Sequence, residues 1–219
     1  MPGQTLHLGF DVGTQSTKAL VIDAERCSIV ARAQRAHGLV PGLPPGHMEQ
    51  HPAQWIEAVA ATSREVLRQV DGSRIGGIAV SGQQHGAVVL DAAGEVVRPA
   101  KLWCDTSTYV EASELSQRLG RAVPAGFTAS KLLWLTRHEP ANWARALRIL
   151  LPHDYVNFRL TGEASMECGD ASGTGFFDPV RRAFDLRAAA AIDPRALADG
   201  ADATAGISRH TTNHVSPWS

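Results

Sequence analysis

Cysteine is scarce in this chain, and the three residues present stand far apart. Cys27, Cys104 and Cys168 form no C-x-x-C pair, and their number is odd. A disulfide framework or a structural zinc site requires paired or clustered thiols. We therefore expect reduced thiols and a cytoplasmic protein.

An excess of charge of either sign and long apolar runs are also lacking. The chain carries 21 Lys and Arg against 22 Asp and Glu, a net charge of −1. This balance predicts no nucleic-acid partner and no polybasic membrane anchor. The sequence shows neither the run of about 18 apolar residues that a transmembrane helix needs nor a signal-peptide pattern. Its 219 residues, 44% of them apolar, suffice for one large globular domain or two small ones.

A polar loop near the start of the chain lies between two strand-like runs, residues 6–10 and 18–23. Asp11 opens this loop, and a glycine and several hydroxyl side chains follow it up to Lys18. P-loops and dinucleotide fingerprints place a helix directly after their glycines, whereas a strand follows here. The loop is therefore suited to polyphosphate by a different geometry.

The first third of the chain predicts three strands, a helix and a further strand. Strands 6–10, 18–23 and 28–34 are joined by short connections and should pair antiparallel. Apolar residues at helical spacing predict a helix over 52–70, and residues 75–80 predict a buried strand. This order begins a ribonuclease-H-like domain, as in actin-like ATPases: an α/β fold with a mixed sheet flanked by helices. A generic α+β domain is the alternative.

The remainder of the chain is mainly helical by pattern. Asp154 is predicted as the N-cap of one helix, and residues 208–219 as a disordered tail. The other predicted elements are helices 110–119, 129–137, 154–160 and 186–192, and strands 87–90 and 173–178.

Several short motifs occur in an order that resembles one family. They are GFDVGT at 9–14, MEQHP at 48–52, SGQQHG at 81–86, LWCD at 102–105, GFTASKLLW at 126–134, LPHDY at 151–155 and DASGT at 170–174. The chain thereby resembles the N-terminal domain of the FGGY carbohydrate kinases, over roughly residues 6–195, and within them the bacterial xylulokinases. His47-Met48 and His51 depart from the family's usual residues around its Glu-Gln pair.

The resemblance implies that the γ-phosphoryl group of ATP is transferred to a ketose hydroxyl, with ATP and Mg²⁺ as cofactors. The Gln84-His85 pair points to D-xylulose, giving D-xylulose 5-phosphate. The partners are thus a small ketose and ATP, and a homodimer is left open. Ribulose or glycerol as the substrate, a non-catalytic sugar-binding fragment and an actin-like ATPase fragment are the alternatives.

The resemblance also assigns roles to residues at both candidate sites. Asp11 would hold Mg²⁺ through water, although a turn aspartate bonded to its own backbone is the alternative. Asp170 is given no catalytic role. The residues expected to bind the ATP phosphates are Thr14, Gln15, Ser16, Thr17 and Lys18, and those expected to bind the sugar are Gln84, His85, Trp103 and Asp105. Trp103 could equally belong to the core.

The family's general base is an aspartate in a Gly-Gly-Gly-Asp motif, which does not occur in residues 1–219. We therefore expect residues 1–207 to form the N-terminal kinase domain, with no catalytic base and no C-terminal nucleotide-binding domain. A gene fragment, a frameshift or an expression boundary would each account for this.

The 219-residue chain alone should not phosphorylate D-xylulose. A general base supplies a factor of about 10²–10⁴ in rate, and the nucleotide clamp would be missing too. A coupled ADP-release assay measures this, with a full-length xylulose kinase as the positive control. Sugar-dependent turnover near that of the control would refute the expectation.

Overall fold

The computed structural model of the protein describes residues 5–194. The predicted tail at 208–219 and the predicted domain boundary at 207 lie outside these residues. The chain divides into two compact units. The first comprises the residues up to Leu39 together with His51–Gln83, and the second comprises Val40–Gln50 together with the residues from Gln84 onward.

Strands and helices follow one another along the described residues. The strands are β1 (Leu6–Val12), β2 (Ser16–Asp23), β3 (Ser28–Ala36), β4 (Glu49–Gln50), β5 (Ile75–Gly82), β6 (Val88–Leu90), β7 (Ala100–Lys101), β8 (Arg148–Leu150), β9 (Phe177–Asp178) and β10 (Ala183–Phe184). The helices are α1 (Pro52–Leu67), α2 (Tyr109–Leu119), α3 (Thr128–His138), α4 (Pro140–Arg145), α5 (Pro152–Thr161), α6 (Cys168–Ala171) and α7 (Leu186–Ile192). Within residues 5–194, no helix combines the length and the apolar character needed to cross a bilayer.

The first unit is built on a mixed sheet with the strand order β3-β2-β1-β5. β1 pairs antiparallel with β2, and β2 pairs antiparallel with β3. The connections between them are short, and a short turn can join only antiparallel neighbours. β5 pairs parallel with β1 after the crossover through α1. The predicted antiparallel meander followed by helix and strand is thereby confirmed.

Helix α1 packs against β2 and β3 through a strongly apolar face. Trp55 is fully buried, and Ala58, Val59 and Val66 lie on the same face of the helix. The helix starts at Pro52 as predicted, since proline fits the first turn, but ends at Leu67 rather than at residue 70.

The prediction that strand 75–80 is buried was wrong. β5 alternates between half-buried and exposed residues, and Ile78 is 58% exposed. β5 is an edge strand of the described sheet, whereas α1 packs mainly against β2 and β3. An apolar run predicts a strand, but does not say whether another element covers it.

The second unit packs its helices around an apolar core. Leu115 of α2, Leu132 of α3 and Ile192 of α7 meet Phe176 in one buried cluster. The helices predicted at 110–119, 129–137 and 186–192 are confirmed within one residue at each end. β4 pairs with β7, and β6 pairs with β8.

Two predictions in the second unit need correction. Asp154 is not an N-cap: α5 begins at Pro152 after Leu151, and Asp154 lies in its first turn. Its carboxylate instead accepts from the Leu151 amide, an orphan donor of the helix start, at 3.3 Å. The strand predicted at 173–178 is a 3₁₀ turn, Ser172–Thr174, followed by the two residues of β9.

Replacing Trp55 by alanine should lower the free energy of unfolding by about 3–5 kcal/mol, because a fully buried indole leaves a large cavity. Urea unfolding followed by circular dichroism measures the change. Leu67→Ala is the matched control on the same helix, where the side chain is 43% exposed, and should cost about 1 kcal/mol or less. Equal losses in both variants would contradict this account of the core.

Candidate functional site

The loop between β1 and β2 is a tight reversal that presents charged side chains. The Gly13 amide donates to the Ser16 carbonyl at 3.0 Å and closes the turn. Asp11 and Lys18 stand opposite each other on the two strands, with Oδ2 and Nζ 3.5 Å apart. Both side chains are about half exposed, so this ion pair contributes little stability and water reaches both groups.

The other residues predicted to bind phosphate differ in their hydrogen bonds and in their exposure to solvent. The Thr14 hydroxyl donates to Gln83 Oε1 at 3.2 Å, and the Ser16 hydroxyl accepts from Gln34 at 2.9 Å. Thr17 is fully buried because it falls on the inward side of β2. Gln15 is exposed. The phosphate role stays a prediction, and exposed side chains are available for it at Asp11, Gln15 and Lys18.

Asp11 fits the role of a magnesium ligand that acts through water. Mg²⁺ keeps several of its waters and takes one or two carboxylates together with substrate phosphates. An exposed carboxylate at the end of β1, paired only loosely with Lys18, meets that requirement.

A second group of potential metal ligands already surrounds a cation of the protein. His47, Glu49 and Asp105 bring their ligand atoms within 4.8 Å of one another. The ammonium of Lys101 lies 3.1 Å from Glu49, 3.1 Å from Asp105 and 3.3 Å from His47 Nδ1. This lysine takes the position that a metal ion would need.

Asp105, predicted to bind sugar, has its carboxylate occupied by protein donors. It accepts from the Met48 amide at 2.9 Å, from the Ser107 hydroxyl at 2.6 Å and from Lys101. Burial alone would raise the pKa of Asp105, but these hydrogen bonds and the Lys101 charge hold it below the ordinary value. Asp105 therefore acts as a structural anchor, and a sugar contact there stays a prediction.

Trp103, also predicted to bind sugar, is 50% exposed. A tryptophan of the core would be buried, so this observation favours the pocket-wall interpretation over the core alternative.

His85 lies in a loop directly after β5 and is held by three neighbouring residues. Its backbone is left-handed, with φ of +58°, and its carbonyl accepts from the Thr128 hydroxyl at 3.1 Å. The ring meets Phe127 edge-on, with centroids 4.9 Å apart. It also lies directly over Gly173, where an added Cβ would fall 1.9 Å from Nε2. Gln84 beside it is exposed.

Burial lowers the pKa of His85 below 6.5, and the charge of Lys131 lowers it further, while Asp170 acts in the opposite direction. The imidazole is therefore neutral at pH 7, with one ring nitrogen donating and the other accepting. A neutral imidazole can pair with a sugar hydroxyl in either direction.

Sequence reasoning missed a buried charge cluster around His153. Nδ1 of His153 donates to Asp170 at 3.0 Å, and Nε2 lies 3.2 Å from Asp154. Burial alone would lower the pKa of His153, but the two carboxylates raise it above 6.5. Burial raises the pKa of Asp154 to about 7. Asp170 thus has a structural partner in His153.

A mixed sheet that carries a carboxylate-bearing hairpin, as found here, is the start of the actin-like ATPase class of fold. The chain belongs to the FGGY family of carbohydrate kinases: residues 6–213 match the model of that family's N-terminal domain. The ribonuclease-H-like fold and the family predicted from the sequence are both confirmed.

Individual relatives carry more specific names. A xylulose kinase of Haemophilus influenzae is 39% identical over 193 residues, covering 81% of this chain and 39% of its own length. One of Streptomyces coelicolor is 42% identical, covering 88% and 41%. The crystal structure of a xyloylose kinase from Brucella ovis superposes with a TM-score of 0.80 at 38% identity, covering 86% and 41%. The chain thus spans about two fifths of the length of these relatives.

The contribution of Asp154 to the stability of the protein should fall as pH rises from 3.8 towards about 7. Its pKa is raised on folding, so the folded state holds a proton that the unfolded chain has released. Asp154→Asn should flatten this part of the curve of unfolding free energy against pH. Asp91→Asn is the control, because the pKa of Asp91 is lowered on folding and acts below this range. An unchanged slope in Asp154→Asn would contradict the assignment.

Proposed function

We propose that this chain is the sugar-binding portion of an ATP-dependent kinase that converts D-xylulose to D-xylulose 5-phosphate. The observation that carries the proposal is the Gln84-His85 loop, in which His85 is fixed against Phe127 and Gly173 and remains half-exposed. Its support comes from relatives named xylulose kinase that are 39% and 42% identical.

In this proposal Gln84 and His85 bind and orient the ketose. The Gln84 amide both donates and accepts, and the neutral His85 ring does the same, so hydroxyls are held without a buried charge. Trp103 supplies an apolar face beside them. Phosphoryl transfer depends mostly on positioning and charge neutralisation, and orienting the accepting hydroxyl is the contribution of these residues.

The β1–β2 hairpin is proposed to bind the phosphates. Asp11 would hold Mg²⁺ through water, and the metal supplies neutralisation of the polyphosphate charge when bound. Thr14, Gln15, Ser16 and Lys18 offer hydroxyl, amide and ammonium donors around it, and Thr17 contributes through the strand. No residue of this chain is proposed as the general base.

The proposal is tested by calorimetric titration of the 219-residue chain with D-xylulose. His85→Ala should weaken binding by about tenfold, the equivalent of one lost hydrogen bond in the site. His7→Ala is the matched control, because His7 is an exposed residue of β1 in the other unit.

D-ribulose and glycerol are titrated alongside D-xylulose. Tighter binding of either competitor would overturn the choice of substrate. Equal affinity of the wild type and His85→Ala for D-xylulose would overturn the role of the loop.

A further inference from the structure

Three consecutive backbone carbonyls in the second unit converge on one buried ammonium group. Lys131 Nζ, on α3, lies 3.2 Å from the Ala125 carbonyl and 3.1 Å from that of Phe127, and it also contacts the Gly126 carbonyl. The side chain is almost fully buried. The lysine thus holds the segment that leads into its own helix, which we call the 125–127 loop.

Two hydroxyl groups reinforce the same loop. Ser130 Oγ donates to the Ala125 carbonyl at 3.0 Å or to that of Phe127 at 2.9 Å. Thr108 Oγ1 reaches the Ala125 carbonyl at 3.2 Å. Side chains donate to all three carbonyls, and Phe127, as the N-cap of α3, also accepts the first backbone hydrogen bond of the helix. The conformation of the loop therefore depends on these side chains.

The 125–127 loop contacts both aromatic residues proposed to bind sugar. The Phe127 ring meets His85 edge-on at 4.9 Å, and the next residue, Thr128, donates to the His85 carbonyl. On the other side, a Cβ added to Gly126 would lie 2.9 Å from the Trp103 carbonyl. Because neither contact leaves spare room, a shift of the loop would move His85 and the Trp103 backbone.

The buried ammonium is costly, which indicates that its contacts matter. Burial lowers the pKa of Lys131 to about 7, while the Asp105 carboxylate acts in the opposite direction. A methionine would fill the same space without removing a charge from water. With a pKa of about 7, Lys131 has three N–H donors for these carbonyls when it is charged and two when it is neutral, whereas methionine has none.

We propose that Lys131 is a positioning residue: by binding the three carbonyls of the 125–127 loop, it sets the ring of His85 and the backbone of Trp103 for ketose binding. The ligand in this statement rests on the proposed function. The geometric claim, that Lys131 fixes His85 through Phe127 and Thr128, is independent of any ligand.

The geometric claim is tested by NMR on the 219-residue chain. In the wild type, ring protons of His85 should show nuclear Overhauser contacts to Phe127 and to the α-protons of Gly173. Lys131→Met should weaken or abolish both, because the Gly126 carbonyl loses its side-chain donor and the Ala125 and Phe127 carbonyls each lose one of theirs. Arg137→Met is the matched control: it removes another cation of α3, which contacts Glu111 and Glu114 instead of the loop.

Retention of both contacts in Lys131→Met, or their equal loss in Arg137→Met, would overturn the proposal. If Lys131→Met does not fold, Lys131→Gln takes its place. The shorter neutral side chain keeps two donors, and the same loss of contacts is expected. Retention of both contacts in Lys131→Gln, or their equal loss in the control variant, would again overturn the proposal.

D-xylulose titration adds a separate readout. Lys131→Met should weaken binding by about tenfold or more, since a small displacement of an orienting group is costly. A wild-type chain that binds no ketose would refute the proposed substrate, while the Overhauser comparison would still decide the positioning role.

Discussion

A buried ammonium group must be surrounded by oxygen atoms, and this constraint organises the second unit. Lys101 gathers Glu49, Asp105 and the Ser107 hydroxyl, and so links β4 to β7 and the turn that follows. Its charge also lies over the Trp134 ring, 4.1 Å from the centroid. Removing one partner would leave the others as uncompensated buried charges. Segments more than fifty residues apart in sequence are thus held by one cation.

The same demand explains why the sugar-binding candidates occupy rigid positions. Lys131 cannot be buried unless the carbonyls of the 125–127 loop turn inward towards it. Once they do, Phe127 is directed at the His85 ring. Because His85 already has a left-handed backbone, its conformation needs such external support. The buried Lys131 thus supports the 125–127 loop, and the loop in turn supports His85, the side chain proposed to bind the ketose.

Structure that depends on residues close together in the sequence could be predicted, whereas contacts between distant residues could not. The β1–β3 meander and α1 follow from periodicities and turns within a few residues, and these were predicted. The pairing of β4 with β7 involves two-residue strands about fifty residues apart, which carry no periodic pattern. The motif at 126–134 contains Lys131, but no spacing indicates that its Nζ turns back to three carbonyls. The burial of Asp105 was missed for the same reason.

The ligands proposed for the two candidate loops make different demands on the protein. A polyphosphate with its metal is strongly hydrated and is recognised by charge, so exposed groups such as Asp11 and Lys18 would suffice for the proposed phosphate binding. A ketose offers only hydroxyls and a carbonyl, whose hydrogen bonds discriminate only when donors and acceptors are held in direction. Under the proposed function, His85 needs the buried network behind it, and substitutions in that network should change which sugar is selected before they change phosphate binding.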